Sequence, residues 1–180
     1  MKTLQSVHFG ELKYDEKDTI HLPDGLIGLS EMKDWILLDG DDDIPLKWLH
    51  SLDRPDFCLP VTDPGYFTSE YTVRVPAAYL DLLGSESEQT IAVMVITTIH
   101  PQGSRITGNL LAPLLIDTET RRGTKLPLDD EGLSLRQEID YLKFGLAVST
   151  EAADNEDTEV TEVQSERTEA ASAERHKVSV

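Results

Sequence analysis

Cysteine is almost missing from this chain: Cys58 is the only one among 180 residues. No disulfide can close within the chain, and the composition fits a reducing compartment. Basic residues are scarce too, with 16 Lys and Arg against 34 Asp and Glu and a formal net charge of −18. Such a surface repels phosphate backbones, which argues against nucleic-acid binding, and it steers basic protein partners toward it. Long apolar runs are lacking as well. The longest, Ile91 to Ile96, is far short of the ~20 residues a membrane helix needs. The opening residues, MKTLQSVHFGE, have no apolar stretch of the signal-peptide kind, so no membrane association and a cytoplasmic location are expected.

Apolar residues thin out toward the end. From Ser149 onward the large aliphatics are Val160, Val163, Val178 and Val180, with no aromatic. That stretch cannot bury enough surface to offset roughly 1–2 kcal/mol per residue of backbone ordering entropy. Residues 149–180 therefore read as a disordered acidic tail, and residues 1–145 as the folded domain. The tail holds nine acids and three bases, a net −6, which leaves −12 for the rest. The acidity belongs to the folded part as well.

What is present is a series of short runs rich in β-branched and aromatic residues, bounded by Gly, Pro and Asp. Strands are expected at Leu4–Phe9, Glu11–Tyr14, Thr19–Leu22, Trp35–Asp39, Leu46–Leu52 and Phe57–Thr62. Pro23-Asp24-Gly25 and Asp63-Pro64-Gly65 supply turns. Tyr71, Val73 and Val75 alternate with Thr72 and Arg74, the pattern of a strand with one wet face. Pro76 and Gly84 bracket Ala77–Leu83 as a short helix. Thr90–Ile99 is apolar and β-branched enough for a central strand covered on both faces. Leu110–Ile116 and Thr124–Leu128 follow, joined by a hairpin turn at Arg121-Arg122-Gly123. Glu138–Val148 fits a helix or a strand equally. The fold class is mainly β: a small antiparallel barrel or sandwich with one or two short helices.

Nothing converges on catalysis, so no enzyme is expected. His8, His21, His50, His100 and His176 stand apart from one another and from Cys58, so no metal ligand set forms by spacing. His8 and His21, on different strands, could meet, but structural roles are favoured. No Gly-rich phosphate loop occurs, and no cofactor is implied. Cys58 lies in an apolar strand and reads as a packed, inert thiol. The aspartates around Gly40 lack the ligand pattern of a calcium loop and read as solvated. Arg121 and Arg122 read as solvent-facing turn charges.

Three segments carry a family resemblance. They are Phe9-Gly10-Glu11 through Leu22-Pro23-Asp24-Gly25-Leu26-Ile27-Gly28; Pro45-Leu46-Lys47-Trp48-Leu49-His50-Ser51-Leu52 through Val61-Thr62-Asp63-Pro64; and Thr107-Gly108-Asn109-Leu110-Leu111-Ala112-Pro113 through Arg121-Arg122-Gly123. In this order and spacing, over nearly all of residues 4–128, the chain resembles the bacterial flagellar assembly factor FliW family. It departs at His50, where the family usually has Gln, and at Asp117, where it favours Asn; both swaps change polar groups that could meet a partner. The resemblance implies a non-catalytic regulator that binds the small translational regulator CsrA and also flagellin. Flagellin would compete for the factor and release CsrA to repress flagellin translation. The alternative is a chaperone-like flagellin-binding module without a translational role.

Candidate partner-binding residues are loop groups free of core duty: Asp53, Arg54, Asp56, Asp63 and Arg121. Asn109 could cap a turn or contact a partner. Trp48 alternates with Lys47 and Leu49 along a strand, which favours a core role over an interface anchor. A sheet edge that accepts a partner strand is a further possibility.

Overall fold

The computed structural model describes residues 1–40, 45–100 and 105–139. The expected acidic tail, most of the Glu138–Val148 segment and the aspartates at 41–43 lie outside the described residues.

The chain opens with a hairpin, β1 (Lys2–Ser6) and β2 (Gly10–Tyr14). Val7, His8 and Phe9 form its turn, and Gly10 takes the left-handed conformation (φ +68°) that the return requires. The strand expected through Phe9 thus stops at Ser6, because those three residues are consumed in the reversal.

The remaining strands build a nine-stranded sheet. They are β3 (Ile20–His21), β4 (Asp34–Asp39), β5 (Lys47–Ser51), β6 (Cys58–Thr62), β7 (Ile91–Ile99), β8 (Ile106–Gly108), β9 (Leu114–Asp117), β10 (Gly123–Lys125) and β11 (Gln137–Glu138). The main path runs β10-β9-β7-β6-β5-β4-β3, antiparallel throughout. The sheet curls until its outer strands meet: His21 N–H donates to Arg121 O at 2.8 Å, and His21 forms a parallel bridge with Arg122. Besides β6, strand β7 serves two further partners in turn. Its first half, Ile91–Met94, pairs with β9, and its last residues, Thr97–Ile99, pair with β8, which also holds β11.

Among the described residues one α-helix, α1 (Ala77–Leu83), lies where Pro76 and Gly84 bracket it; Gly84 ends it at φ +64°. Inside the curl, Trp35, Leu49, Val61, Leu114 and Ile116 form the central core. The first hairpin covers Ile36 and Leu38 through Leu12, and α1 covers Leu115 through Leu83. Sheet residues thus face apolar neighbours on both sides. Along β5, Leu49 belongs to the central core, while Trp48 packs with the hairpin, its ring centroid 5.8 Å from that of Phe9.

Further expected strands differ in pairing or extent. Tyr71–Val75 forms no ladder. Its alternation is real, since Tyr71, Val73 and Val75 point inward while Thr72 and Arg74 are exposed, but the segment lies extended over the core without a pairing partner among the described residues. Leu110–Ile116 begins as a turn, and pairing starts only at Leu114. Proline at 113 has no N–H to give a ladder. The expected strand Thr124–Leu128 pairs with β9 only as far as Lys125, but Leu126 and Leu128 still donate to Pro113 O and Leu111 O.

Candidate functional site

Strand β6 pairs with β7 only at Val61↔Ile96 and Thr62↔Val95. Beyond Thr62 the chain turns away, because Pro64 brings no N–H and Asp63 closes a tight 3₁₀ turn by accepting Gly65 N–H at 2.6 Å. The wall of the curled sheet is therefore split beside Ile91–Met94. A groove of about 840 Å³ opens there, lined by Leu37, Asp39, Lys47, Tyr66, Tyr71 and Val93 among others. That volume lies within the usual range for binding pockets. Lys47 Nζ donates to the Asp39 carboxylate at its border. Tyr71 donates its hydroxyl to Leu110 O at 2.7 Å, and burial pushes its pKa up to about 12, so it stays a neutral donor.

A smaller cleft of about 360 Å³ lies between the Gly25–Gly28 turn and α1, lined by Ile27, Tyr79, Leu82, Lys125 and Pro127 among others. Ile27 is 87% exposed on that turn. Gly25 stands at φ +65°, and a Cβ there would lie 2.8 Å from Leu29 O, so the turn admits glycine alone at that position.

Two buried polar side chains, His50 and Asp117, are bonded within the chain. His50 is 0% exposed. Its Nδ1 lies 2.8 Å from Ser51 O, so this nitrogen carries the proton, and Nε2 accepts from the Ser6 hydroxyl at 2.7 Å. Burial pushes its pKa down, against the opposing bond to Ser51. Asp117 is 1% exposed. Burial opposes its charge, but the Thr90 hydroxyl at 2.5 Å, Thr120 N–H at 2.7 Å, the Ser85 hydroxyl and Glu119 N–H at 2.9 Å outweigh that and hold its pKa to about 2. The two polar departures at His50 and Asp117 thus face inward.

The candidate residues fall in separate neighbourhoods. Asp53, Arg54 and Asp56 share the β5–β6 loop. Asp53 accepts Lys33 N–H and Asp34 N–H, and Arg54 pairs with the Asp56 carboxylate through Nε and Nη2 at 3.1 and 2.5 Å. Both partners are exposed, so the pair adds little to stability. Asp63 lines the groove. Asn109 gives its N–H to Ile96 O, and its Oδ1 is buried with no partner among the described residues. Arg121, at φ +57°, clasps the sheet closure: Nη2 donates to Asp18 O at 2.9 Å. Arg122 is exposed, as expected of a turn charge, and donates to Leu82 O at 2.9 Å, whereas Arg121 is half-buried. His8 and His21 do not share a site; His8 Nε2 lies 3.0 Å from Asp56 O, and His21 Nδ1 lies 2.7 Å from the Asp34 carboxylate. Groove residues Tyr66, Tyr71 and Val93 are absent from the sequence-based candidates. The signal that marks them is Pro64, which must end the β6–β7 ladder.

Among the described residues no helix is long and apolar enough to cross a membrane. The fold defines the class: a small, curled, antiparallel β protein with an open groove in its wall. The FliW protein family matches residues 3–139, and the chain belongs to that family. It is 31% identical over 137 residues to the flagellar assembly factor FliW of Caldanaerobacter subterraneus subsp. tengcongensis, covering 76% of this chain and 91% of that one. It is also 31% identical over 139 residues to FliW of Clostridium beijerinckii, covering 77% and 98%. A crystal structure of the flagellar assembly factor FliW has the same fold, with TM-score 0.69 at 24% identity, over 76% of this chain and 96% of that one.

Proposed function

We propose that this flagellar assembly factor works in the cytoplasm by binding CsrA and flagellin, antagonising CsrA and so coupling flagellin translation to filament assembly. The observation that carries the reading is the family match across residues 3–139. Charge supports it. A chain of net −18 suits a basic RNA-binding regulator and places negative charge beside the phosphate path. Asp53, Arg54, Asp56 and Asp63 are exposed loop groups available to such a partner, whereas Arg121 is committed to the fold.

Co-purification tests the reading. A tagged chain expressed in its own bacterium should retain CsrA, and raising flagellin should displace it. Retention of flagellin and never of CsrA would replace the regulator with a chaperone-like module, a reading that the open edge of β7 also suits. Inhibition of CsrA–RNA binding should weaken as salt rises; equal inhibition at low and high salt would remove the electrostatic part.

A further inference from the structure

The edge of β7 facing the groove is unmatched. Thr118 N–H donates to Thr90 O at 2.9 Å. With the β7–β9 register, this directs Ala92 and Met94 toward β9 and the main-chain groups of Ile91 and Val93 to the opposite side. Ile91 N–H is taken by Glu88 O. Val95, the next residue facing that side, is aligned with Thr62 of β6. Val93 lies between, its N–H and C=O directed into the groove, and no strand stands on that side among the described residues.

We propose that an extended, basic segment of a partner protein adds to this open edge at Val93 and fills the split in the sheet wall. The inference rests on the protein-binding reading above. An added strand would pair its main chain with Val93, as strand addition requires, and its alternate side chains would meet Leu37 and Met94 on one face and Tyr71 and Val73 on the other. Asp39, Lys47 and Asp63 line the same groove; Lys47 pairs with Asp39, so Asp63 leaves the lining net negative, in a chain of net −18. A lysine or arginine on the segment meets favourable charge there, and an acidic segment does not.

The test uses the full chain labelled with ¹⁵N and a short synthetic peptide alternating valine with lysine and threonine. The peptide should shift the Val93 amide saturably and slow its hydrogen exchange. N-methylation of the peptide at one alternating set of nitrogens should weaken binding by about ten-fold, while methylation of the other set leaves it unchanged. No saturable shift at Val93, or equal effects from both sets, would overturn the proposal. CsrA or flagellin binding with unchanged exchange at Val93 would overturn it while leaving the protein-binding reading intact. Peptide docking at Val93 without binding of either protein would keep the groove and remove that reading.

Discussion

The Ser6 hydroxyl lies 2.7 Å from His50 Nε2 and joins the opening hairpin to the main sheet. Ser6 Oγ also accepts the N–H groups of His8 and Phe9 at 3.2 and 3.1 Å, so a single side chain organises the hairpin turn and fastens it to β5. Ser6→Ala would leave three polar groups without that oxygen, and we expect a loss of about 1–3 kcal/mol, read from the urea midpoint.

The same contact predicts a pH dependence. Burial lowers the His50 pKa in the folded state below its ordinary 6.5. The neutral ring therefore contributes stability that is full above about pH 6.5 and is lost as pH falls through the folded pKa. The wild-type midpoint should fall between pH 7.5 and 5.5 by more than that of His50→Gln. Equal slopes for the two proteins would contradict the buried neutral histidine.

Asp117 titrates with the same sign at lower pH. Its folded pKa of about 2 against an ordinary 3.8 gives stability present above about pH 4 and lost as pH falls toward 2, about 2 kcal/mol in all. Asp117→Asn keeps an acceptor for Glu119 and Thr120 N–H, and the Thr90 hydroxyl can turn to Ser87 O at 3.1 Å. We expect Asn to cost less than about 1 kcal/mol and to erase this acid step, and Ala to cost about 2–4 kcal/mol. Denaturation at pH 2.5, 4 and 7 measures both.

Gly108 is held free of a side chain by Phe67, whose ring carbon would lie 2.6 Å from an added Cβ. Gly108→Ala should destabilise by about 1–3 kcal/mol through overpacking. Adding Phe67→Leu should recover part of the loss, and additivity of the two changes in a double-mutant cycle would show that they do not meet.

Arg121 combines a left-handed backbone (φ +57°) with the Nη2 bond to Asp18 O that secures the sheet closure. Both Arg121→Ala and Arg121→Gly lose the bond, but glycine also relieves the backbone. Melting should place Gly above Ala by about 1 kcal/mol. Ala equal to Gly would mean that the backbone there is unstrained.

Much of this fold is legible in the residues. Local chemistry marks α1 between Pro76 and Gly84, the turns at Pro23 and Asp63, and the apolar run of β7, because each depends on near neighbours. Pairing is harder to read. Tyr71–Val75 has the alternation of a strand, since one side faces the core, yet alternation reports burial and says nothing of a hydrogen-bonding neighbour. Ile106–Gly108 is a strand because β7 extends past β9 and needs a second partner, a demand set by residues elsewhere in the chain. The site was only partly legible for the same reason. Charged loop residues such as Asp53 and Arg54 announce themselves, while the groove exists because one ladder stops at Thr62 and the other continues past it. His50 and Asp117 look like partner contacts until the fold turns both inward.

The central claim is tested most directly by calorimetric titration of the full chain with CsrA from its own bacterium, repeated in the presence of flagellin. The account predicts saturable CsrA binding that flagellin weakens, unchanged by His50→Gln and Asp117→Asn because those groups face the interior. No CsrA binding, with flagellin still bound, would contradict the regulator and leave a flagellin-binding module.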